Sequence, residues 1–393
     1  MMSSATVRPW LMMMMISIVT LLFQVQQLAG AQLQRQVAAV FVLGDSTLDV
    51  GNNNYLPGKD VFRANKPYNG IDYPASKPTG RFSNGYNVAD FIAMKLGFKK
   101  SPPAYLSLLQ GPAAAANLTL AIKALTGGVS FASGGAGVLD STYAGKCIPL
   151  STQLRSMEAT RAAMVSKVGT RAVAAHLARS FFLLGVVNND MFVFATAQQQ
   201  QNRSATPAEV AAFYTTLITK FSAALTIDQS MDGCRSCTRW GRGSLASSTW
   251  GWSVACRWCE RRAPPAPAAT TSTGLAAGFN DALASLLSDL AARLPGFAYS
   301  IADAHAAGQL AFADPAASGY TSVDAACCGS GRLGAEEDCQ VGSTLCADRD
   351  KWAFWDRVHP SQRATMLSAA AYHDGPAQLT KPINFKQLAR TTA

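Results

Sequence analysis

Charge is scarce in this chain. Asp, Glu, Lys and Arg make up 15% of its 393 residues, against 49% hydrophobic ones. That balance excludes a disordered chain, which needs low hydrophobicity and abundant charge, and predicts a large buried core. Histidine is scarcer still, at four residues, so a reaction that needs an imidazole has few candidates for it. A membrane-spanning run is lacking too: the apolar stretch from Trp10 to Phe23 is shorter than the about 20 residues that cross a bilayer, and no later segment is long and apolar enough. Acidic residues number 24 against 34 basic ones, a net charge of +10. The basic residues are scattered rather than gathered into a stripe with interleaved aromatics, which excludes specific nucleic-acid recognition and leaves weak attraction to anionic polymer.

Arg8, the run from Trp10 to Phe23 and the small triplet Ala29-Gly30-Ala31 read as a cleavable secretory signal over residues 1–31, with the mature chain starting near Gln32. Export to the extracellular space or cell wall puts the nine cysteines in an oxidising compartment, where disulfides are expected, although their number is odd. It also makes Asn117-Leu118-Thr119 and Asn202-Arg203-Ser204 candidate N-glycosylation acceptors, at Asn117 and Asn202, provided that both are on the surface.

Val37 to Leu43 is a continuous apolar run ending in a turn, as expected of a strand buried on both faces of a parallel sheet. Phe181 to Val187 repeats the pattern, and Phe297 to Ile301 is a shorter version of it. Helices are expected over Ala208 to Thr226 and Leu275 to Leu294. In the second, Phe279, Ala282, Leu283, Leu286, Leu287 and Leu290 keep the spacing of a core-facing stripe. Strands alternating with helices, with no internal repeat and no long linker, predict an α/β fold with a doubly wound, mainly parallel sheet, in a single domain over residues 32–393. Pockets in such sheets lie beyond the carboxyl ends of the strands, where Ser46 and Asn189 would both emerge.

The dozen residues from Phe41 to Asn52 carry the chemistry. An apolar run breaks at Gly44 and delivers Asp45-Ser46-Thr47, the form of a strand-to-helix turn that exposes a nucleophile. Asp356-Arg357-Val358-His359-Pro360 adds a carboxylate and an imidazole three residues apart. Together they supply acyl transfer through a covalent ester, with Ser46 as nucleophile, His359 as base and Asp356 as the group that orients the imidazole. An isolated Asp-Ser after a strand is more often a helix cap, but the whole twelve-residue context, with Asp-x-x-His-Pro following in the right chain order, reverses those odds. His176, His305 and His373 lack an acidic and proline context and read as structural.

Both motifs resemble, residue for residue, those of the plant-type GDSL esterase/lipase family of SGNH hydrolases, F-x-x-G-D-S-x-x-D-x-G-N and D-x-x-H-P. The resemblance implies a three-layer αβα sandwich of the flavodoxin-like kind and hydrolysis of carboxylic acyl esters, with no metal or organic cofactor. It implies three oxyanion donors: the backbone N–H of Ser46, a glycine N–H in the block from Gly128 to Gly137, placed at Gly135 with Gly134 as the near alternative, and the side chain of Asn189. The family has glycine where this chain has Val187. A β-branched residue at a position that can require positive φ predicts reduced activity. Asp190 is expected to be a structural hydrogen-bond partner. Cys327, Cys328, Cys339 and Cys346 precede the Asp-x-x-His motif, and two disulfides there would pin the catalytic loop, in a pairing that spacing leaves open.

Residues 227–273 do not fit this pattern. They hold four tryptophans, Trp240, Trp250, Trp252 and Trp258, and the pairs Cys234-x-x-Cys237 and Cys256-x-x-Cys259, a zinc-ribbon spacing. The genetic code offers another origin. Read one base out of register, the codons over Ser236 to Ser244 permit L-Y-E-M-G-A-R, and those from Ala246 to Glu260 permit V-I-N-V-G-L-V-G-C-V-P-V-V-R. The recovered string resembles the family's missing central block. The window is therefore expected to be a frameshifted or mis-spliced translation, its zinc spacing accidental and no metal site present. A chain made as written is expected to lose one central strand, which sets a catalytically impaired or non-enzymatic secreted product as the alternative to an active esterase.

Overall fold

The computed structural model describes residues 35–226, 244–249, 272–294 and 296–391, together with 13 and 17. The chain divides into two units, Met1–Gln36 and Val37–Ala393. In the first, Met13 and Ser17 are helical and the Ser17 hydroxyl donates to the Met13 carbonyl at 2.9 Å. Most of the expected secretory signal lies outside the described residues. Among the described residues no helix is long and apolar enough to cross a membrane.

In the second unit β1 (Val40–Gly44), β2 (Gly128–Ser130), β3 (Phe181–Gly185), β4 (Ser244–Thr249) and β5 (Ala298–Asp303) pair in parallel, and β10 (Thr380–Lys381) adds antiparallel to β5. The sheet order is β10-β5-β4-β3-β1-β2. Chain order reverses between β1 and β3, the switch point at which this class of sheet opens a crevice beyond its strand ends. Register places Leu43 opposite Leu184 and Gly44 opposite Gly185, so β1 and β3 end level with one another.

The longer helices among the described residues are α1 (Val88–Lys95), α2 (Ala113–Thr126), α3 (Leu150–Val168), α4 (Thr170–Ala178), α5 (Asn188–Gln200), α6 (Pro207–Leu225), α7 (Ser272–Arg293), α8 (Ala304–Ala313), α9 (Gln362–Asp374) and α10 (Phe385–Arg390). Strand periodicity divides the core between the two faces of the sheet. Phe41, Leu43, Phe182 and Leu184 pack with residues of α2, α3, α4, α6 and α7, whereas Val40, Val42, Phe181 and Leu183 pack with residues of α1, α9 and α10. These are the three layers expected from the sequence. The expected helices appear as α6 and α7; α6 opens on a capping box between Thr206 and Glu209 with Pro207 at its first position. The expected strand from Phe181 to Val187 stops at Gly185, where the chain turns into α5.

The expected loss of a central strand does not occur. β4 pairs with β3 from Phe181 opposite Ser244 to Leu184 opposite Ser247, and with β5 from Ser244 opposite Ala298 to Thr249 opposite Asp303. The ladder is made by backbone N–H and C=O groups, and an empty slot would leave those of both β3 and β5 unpaired in the interior. A short segment made mostly of small residues, Ser-Leu-Ala-Ser-Ser-Thr, is therefore enough to fill it. The four cysteines at zinc-ribbon spacing lie outside the described residues.

Two small sheets close the C-terminal part: β6 (Ser322–Ala326) runs parallel to β9 (Trp352–Phe354), and β7 (Cys328–Gly329) antiparallel to β8 (Thr344–Leu345). The disulfides left open by the sequence are Cys327–Cys346 and Cys328–Cys339, one nested inside the other. Both pack against Trp355 in a buried cluster, and the Trp355 indole N–H donates to Asn69 Oδ1 at 2.9 Å. Cys147 is a free thiol.

Candidate active site

The site begins where β1 ends. Gly44 has φ of 152°, and a Cβ there would stand 2.1 Å from the Gly185 carbonyl oxygen, so only glycine allows β1 and β3 to meet this closely. The Asp45 N–H donates to the Gly185 carbonyl at 2.9 Å. Asp45 Oδ1 then accepts from the Thr47 backbone N–H at 2.9 Å and from its hydroxyl at 2.7 Å, a local turn that holds Ser46 between the two. Behind the turn, Gln153 of α3 is wholly buried. Its Oε1 accepts from the Gly44 N–H at 2.9 Å, and its Nε2 donates to the carbonyls of Gly44 and Ile148, each at 2.9 Å.

The imidazole arrives from the loop between β9 and α9. The Trp355 N–H donates to the His359 carbonyl at 2.9 Å, and Ser361 caps α9 through a hydroxyl that accepts from the Ala364 N–H at 3.1 Å. Asp356 Oδ1 accepts from the backbone N–H groups of Val358 at 2.8 Å and His359 at 2.7 Å, which fixes the carboxylate before it meets the ring. His359 Nδ1 lies 2.8 Å from Asp356 Oδ2, and His359 Nε2 lies 2.8 Å from Ser46 Oγ. The Phe82 ring leans on the imidazole with centroids 5.0 Å apart.

Burial alone would depress the pKa of His359. The facing Asp356 carboxylate outweighs it by charge and hydrogen bond, helped by the more distant Asp45, and holds the imidazole above its ordinary range. Burial likewise acts to raise Asp356, but His359 and the two backbone donors hold that carboxyl below the usual carboxylate range. The Asp45 carboxyl is raised by burial, against the donors Thr47 and Asn188 and the charge of His359.

The glycine-rich block is tied to the Ser46 turn through Asp49. That carboxylate accepts from the N–H groups of Gly51 at 2.7 Å, Asn52 at 2.8 Å and Gly134 at 3.0 Å. Burial against these donors pushes its carboxyl up to about 6. Gly134, the alternative oxyanion donor, thus has its N–H committed to Asp49. Gly135 has φ of 91°, and a Cβ on it would lie 2.5 Å from the Phe62 ring. Asn189 stands in the first turn of α5, where its Nδ2 donates one N–H to the Ala136 carbonyl at 2.9 Å and keeps a second. Ser46, His359 and Asn189, with Thr47, Asn188 and Phe192, line a cleft of about 20 Å³, room for about one water. Asp356 stands behind His359; Gly135 is one residue from the Asn189 partner Ala136 and does not form part of the cleft wall.

Val187 has φ of 104° and is fully buried, so the position where the family carries glycine does demand a positive φ in this chain. Asp190 has the structural role expected of it, accepting from the N–H groups of Val138 at 2.8 Å and Leu139 at 3.1 Å and from the Thr142 hydroxyl at 2.6 Å. His176 bonds the Ala124 carbonyl at 3.2 Å, and His373 lies beside Asp374. Asn117, on α2, and Asn202, after α5, are exposed. Among the described residues no group of three His, Cys, Asp or Glu side chains converges to hold a metal. Gln153 and Phe82 escaped the sequence reading and left no local signal; Asp49 and Asn52 were spelled out within the first motif.

Residues 40–371 match the GDSL-like lipase/acylhydrolase family. Over 88% of its length the chain is 33% identical to the GDSL esterase/lipase At5g55050 of Arabidopsis thaliana, covering 90% of that protein. It is 32% identical to GDSL esterase/lipase At1g29670 of the same plant over 92% of this chain and 93% of the other. Identity to GDSL esterase/lipase At1g71250, also from Arabidopsis thaliana, is 31% over 90% of both chains.

Proposed function

The chain belongs to the GDSL-like lipase/acylhydrolase family and is a carboxylic ester hydrolase, and from that premise we propose that Ser46, His359 and Asp356 carry the reaction through an acyl-enzyme. Ser46 Oγ attacks the acyl carbonyl carbon as its proton passes to His359 Nε2. The tetrahedral intermediate collapses, and the alcohol leaves with the proton that His359 returns. Water then attacks the acyl-serine, giving its proton to the same nitrogen, and the carboxylic acid departs as Ser46 is regenerated. Asp356 fixes the ring tautomer and stabilises the imidazolium. The developing oxyanion takes hydrogen bonds from the N–H of Ser46 and from the uncommitted N–H of Asn189, and Gly135, outside the cleft wall, is the third donor that the family resemblance implies; one such donor is worth about 100- to 1,000-fold in rate.

The observation that carries this reading is the 2.8 Å contact of Ser46 Oγ with His359 Nε2, with Asp356 on the far side of the same ring. It is tested by labelling with an alkyl fluorophosphonate and by hydrolysis of a p-nitrophenyl acyl ester. Both should be lost in Ser46→Ala with the thermal transition unchanged; labelling that persists removes Ser46 as nucleophile.

Residues 1–31 serve as the secretory leader and 32–393 as the catalytic domain, which works outside the cell or in the cell wall. The two disulfides and the exposed acceptors Asn117 and Asn202 support that destination. Residues 227–273 are the product of a shifted frame over the family's central block. A second, non-enzymatic reading loses its main support, since β4 occupies the sheet position that it required to be empty.

A further inference from the structure

Between α8, α9 and β9 lies a second cavity, of about 380 Å³, within the roughly 300–1,000 Å³ of small-molecule sites. Ala307, Leu310, Phe312, Phe354 and Leu367 give it an apolar wall, and Leu310, 53% exposed, marks its opening to solvent. Among the described residues its wall carries one charged side chain, Arg363 in the first turn of α9. Arg81, Arg349 and Arg357 each pair with an aspartate, whereas Arg363 has no carboxylate partner among the described residues. Its guanidinium lies against Gly319 and beside the buried Tyr320 instead.

An unpaired guanidinium on an apolar wall selects for one chemistry. A small inorganic anion would satisfy the charge and leave the wall wet; a neutral hydrocarbon would cover the wall and bury the charge without a partner. We propose that this cavity binds a fatty carboxylate, its head group on Arg363 and its chain along Leu310, Phe312 and Leu367. Pro360 lines both this cavity and the cleft around Ser46, so the ligand would sit on the far side of the loop that carries His359. That a fatty acid is also a product of the reaction rests on the esterase reading; the binding itself does not.

The test is calorimetric titration of the Ser46→Ala protein with decanoate and with decanol. Saturable one-to-one binding of decanoate is expected, at least about tenfold tighter than decanol, with a loss of at least about tenfold in Arg363→Met, the change that one charge-assisted contact makes. Leu367→Trp, which fills the cavity, should abolish it, and thermal unfolding checks that both variants are folded. The proposal is overturned by absence of saturable decanoate binding, by equal affinity for decanol, or by binding that both variants leave intact, which would assign the ligand to the ester cleft. Failure of the esterase reading would appear separately, as fluorophosphonate labelling that survives in Ser46→Ala.

Discussion

Gly44 and Gln153, 109 positions apart, are joined by a pair of hydrogen bonds in which the side-chain amide accepts the glycine N–H and donates to its carbonyl, each at 2.9 Å. The glutamine imitates a neighbouring strand at the point where β1 runs out of one. The Gly44 carbonyl also accepts from the Ser133 N–H at 2.9 Å, so the residue two before Ser46 is held on the side where β2 has ended.

Gln153→Leu keeps the volume and removes those bonds. It leaves the buried Gly44 N–H without its partner and removes the half-buried bond to the Ile148 carbonyl, and a loss of about 1–3 kcal/mol in folding stability is expected. Because the effect on catalysis runs through the position of Ser46, kcat should fall while KM stays near its original value. Steady-state kinetics beside chemical denaturation checks both, and a variant that only raises KM would assign Gln153 to substrate binding instead.

At position 187 the usual order of two substitutions should invert. Glycine in ordinary backbone is roughly 0.5–1 kcal/mol less stable than alanine. With φ at 104°, any side chain at this position carries a steric penalty of about 1–2 kcal/mol. Val187→Gly is thus expected to unfold at higher denaturant than Val187→Ala, and to show the higher kcat because Asn188 and Asn189 follow directly. Equal midpoints would mean that the backbone is not strained there.

The raised pKa of His359 fixes the direction of the pH dependence. In the proposed mechanism His359 acts as base only when neutral, so the ascending limb of kcat/KM should have its midpoint above the ordinary histidine value of about 6.5. Asp356→Asn should move that limb down in pH and cost about 10,000-fold in kcat. For folding, the contribution of His359 is fully present below about 6.5 and is lost as pH rises through its raised folded value; that of Asp356, whose folded value is lowered, is present above about 3.9 and lost as pH falls through it. Rate profiles of the two proteins decide, and an unmoved limb in the asparagine variant would exclude Asp356 as the cause.

β4 can be probed by a single proline. As an interior strand it offers N–H groups to β3 and β5, so Ala246→Pro removes a ladder hydrogen bond and should cost about 1–3 kcal/mol. An unchanged unfolding midpoint would show that these residues do not form the strand. Sequencing the transcript across codons 226–275 tests the frame separately: a reading that restores M-G-A-R is expected, and an uninterrupted match to the chain as written overturns the shift.

Legibility followed the range of the interactions. β1, the Ser46 turn and the pairing of Asp356 with His359 could be read because each is local: an apolar run, a three-residue turn, an (i, i+3) contact. The demand for positive φ at Val187 was legible as a departure from the resemblance. Gln153 was not, because its partners are backbone groups of a distant strand and any residue type can present those. The pairing of Cys327 with Cys346 depended on β7 and β8 meeting, which spacing does not encode. β4 escaped because its place is set by the two strands that flank it more than by its own Ser-Leu-Ala-Ser-Ser-Thr.

The nested cystines reach beyond their own corner. Each closes a short loop, with sequence separations of 11 and 19, and such a crosslink is worth about 3 kcal/mol against the unfolded chain for a loop of about 15 residues. Their packing partner Trp355 directly precedes Asp356. A batch produced in a reducing cytoplasm would keep the Ser46 turn, which among the described residues depends on no cystine, while the moorings of Asp356 and His359 go slack. Such material should look native by circular dichroism and yet stay idle on ester until an oxidant is supplied, so the choice of expression host becomes a catalytic variable.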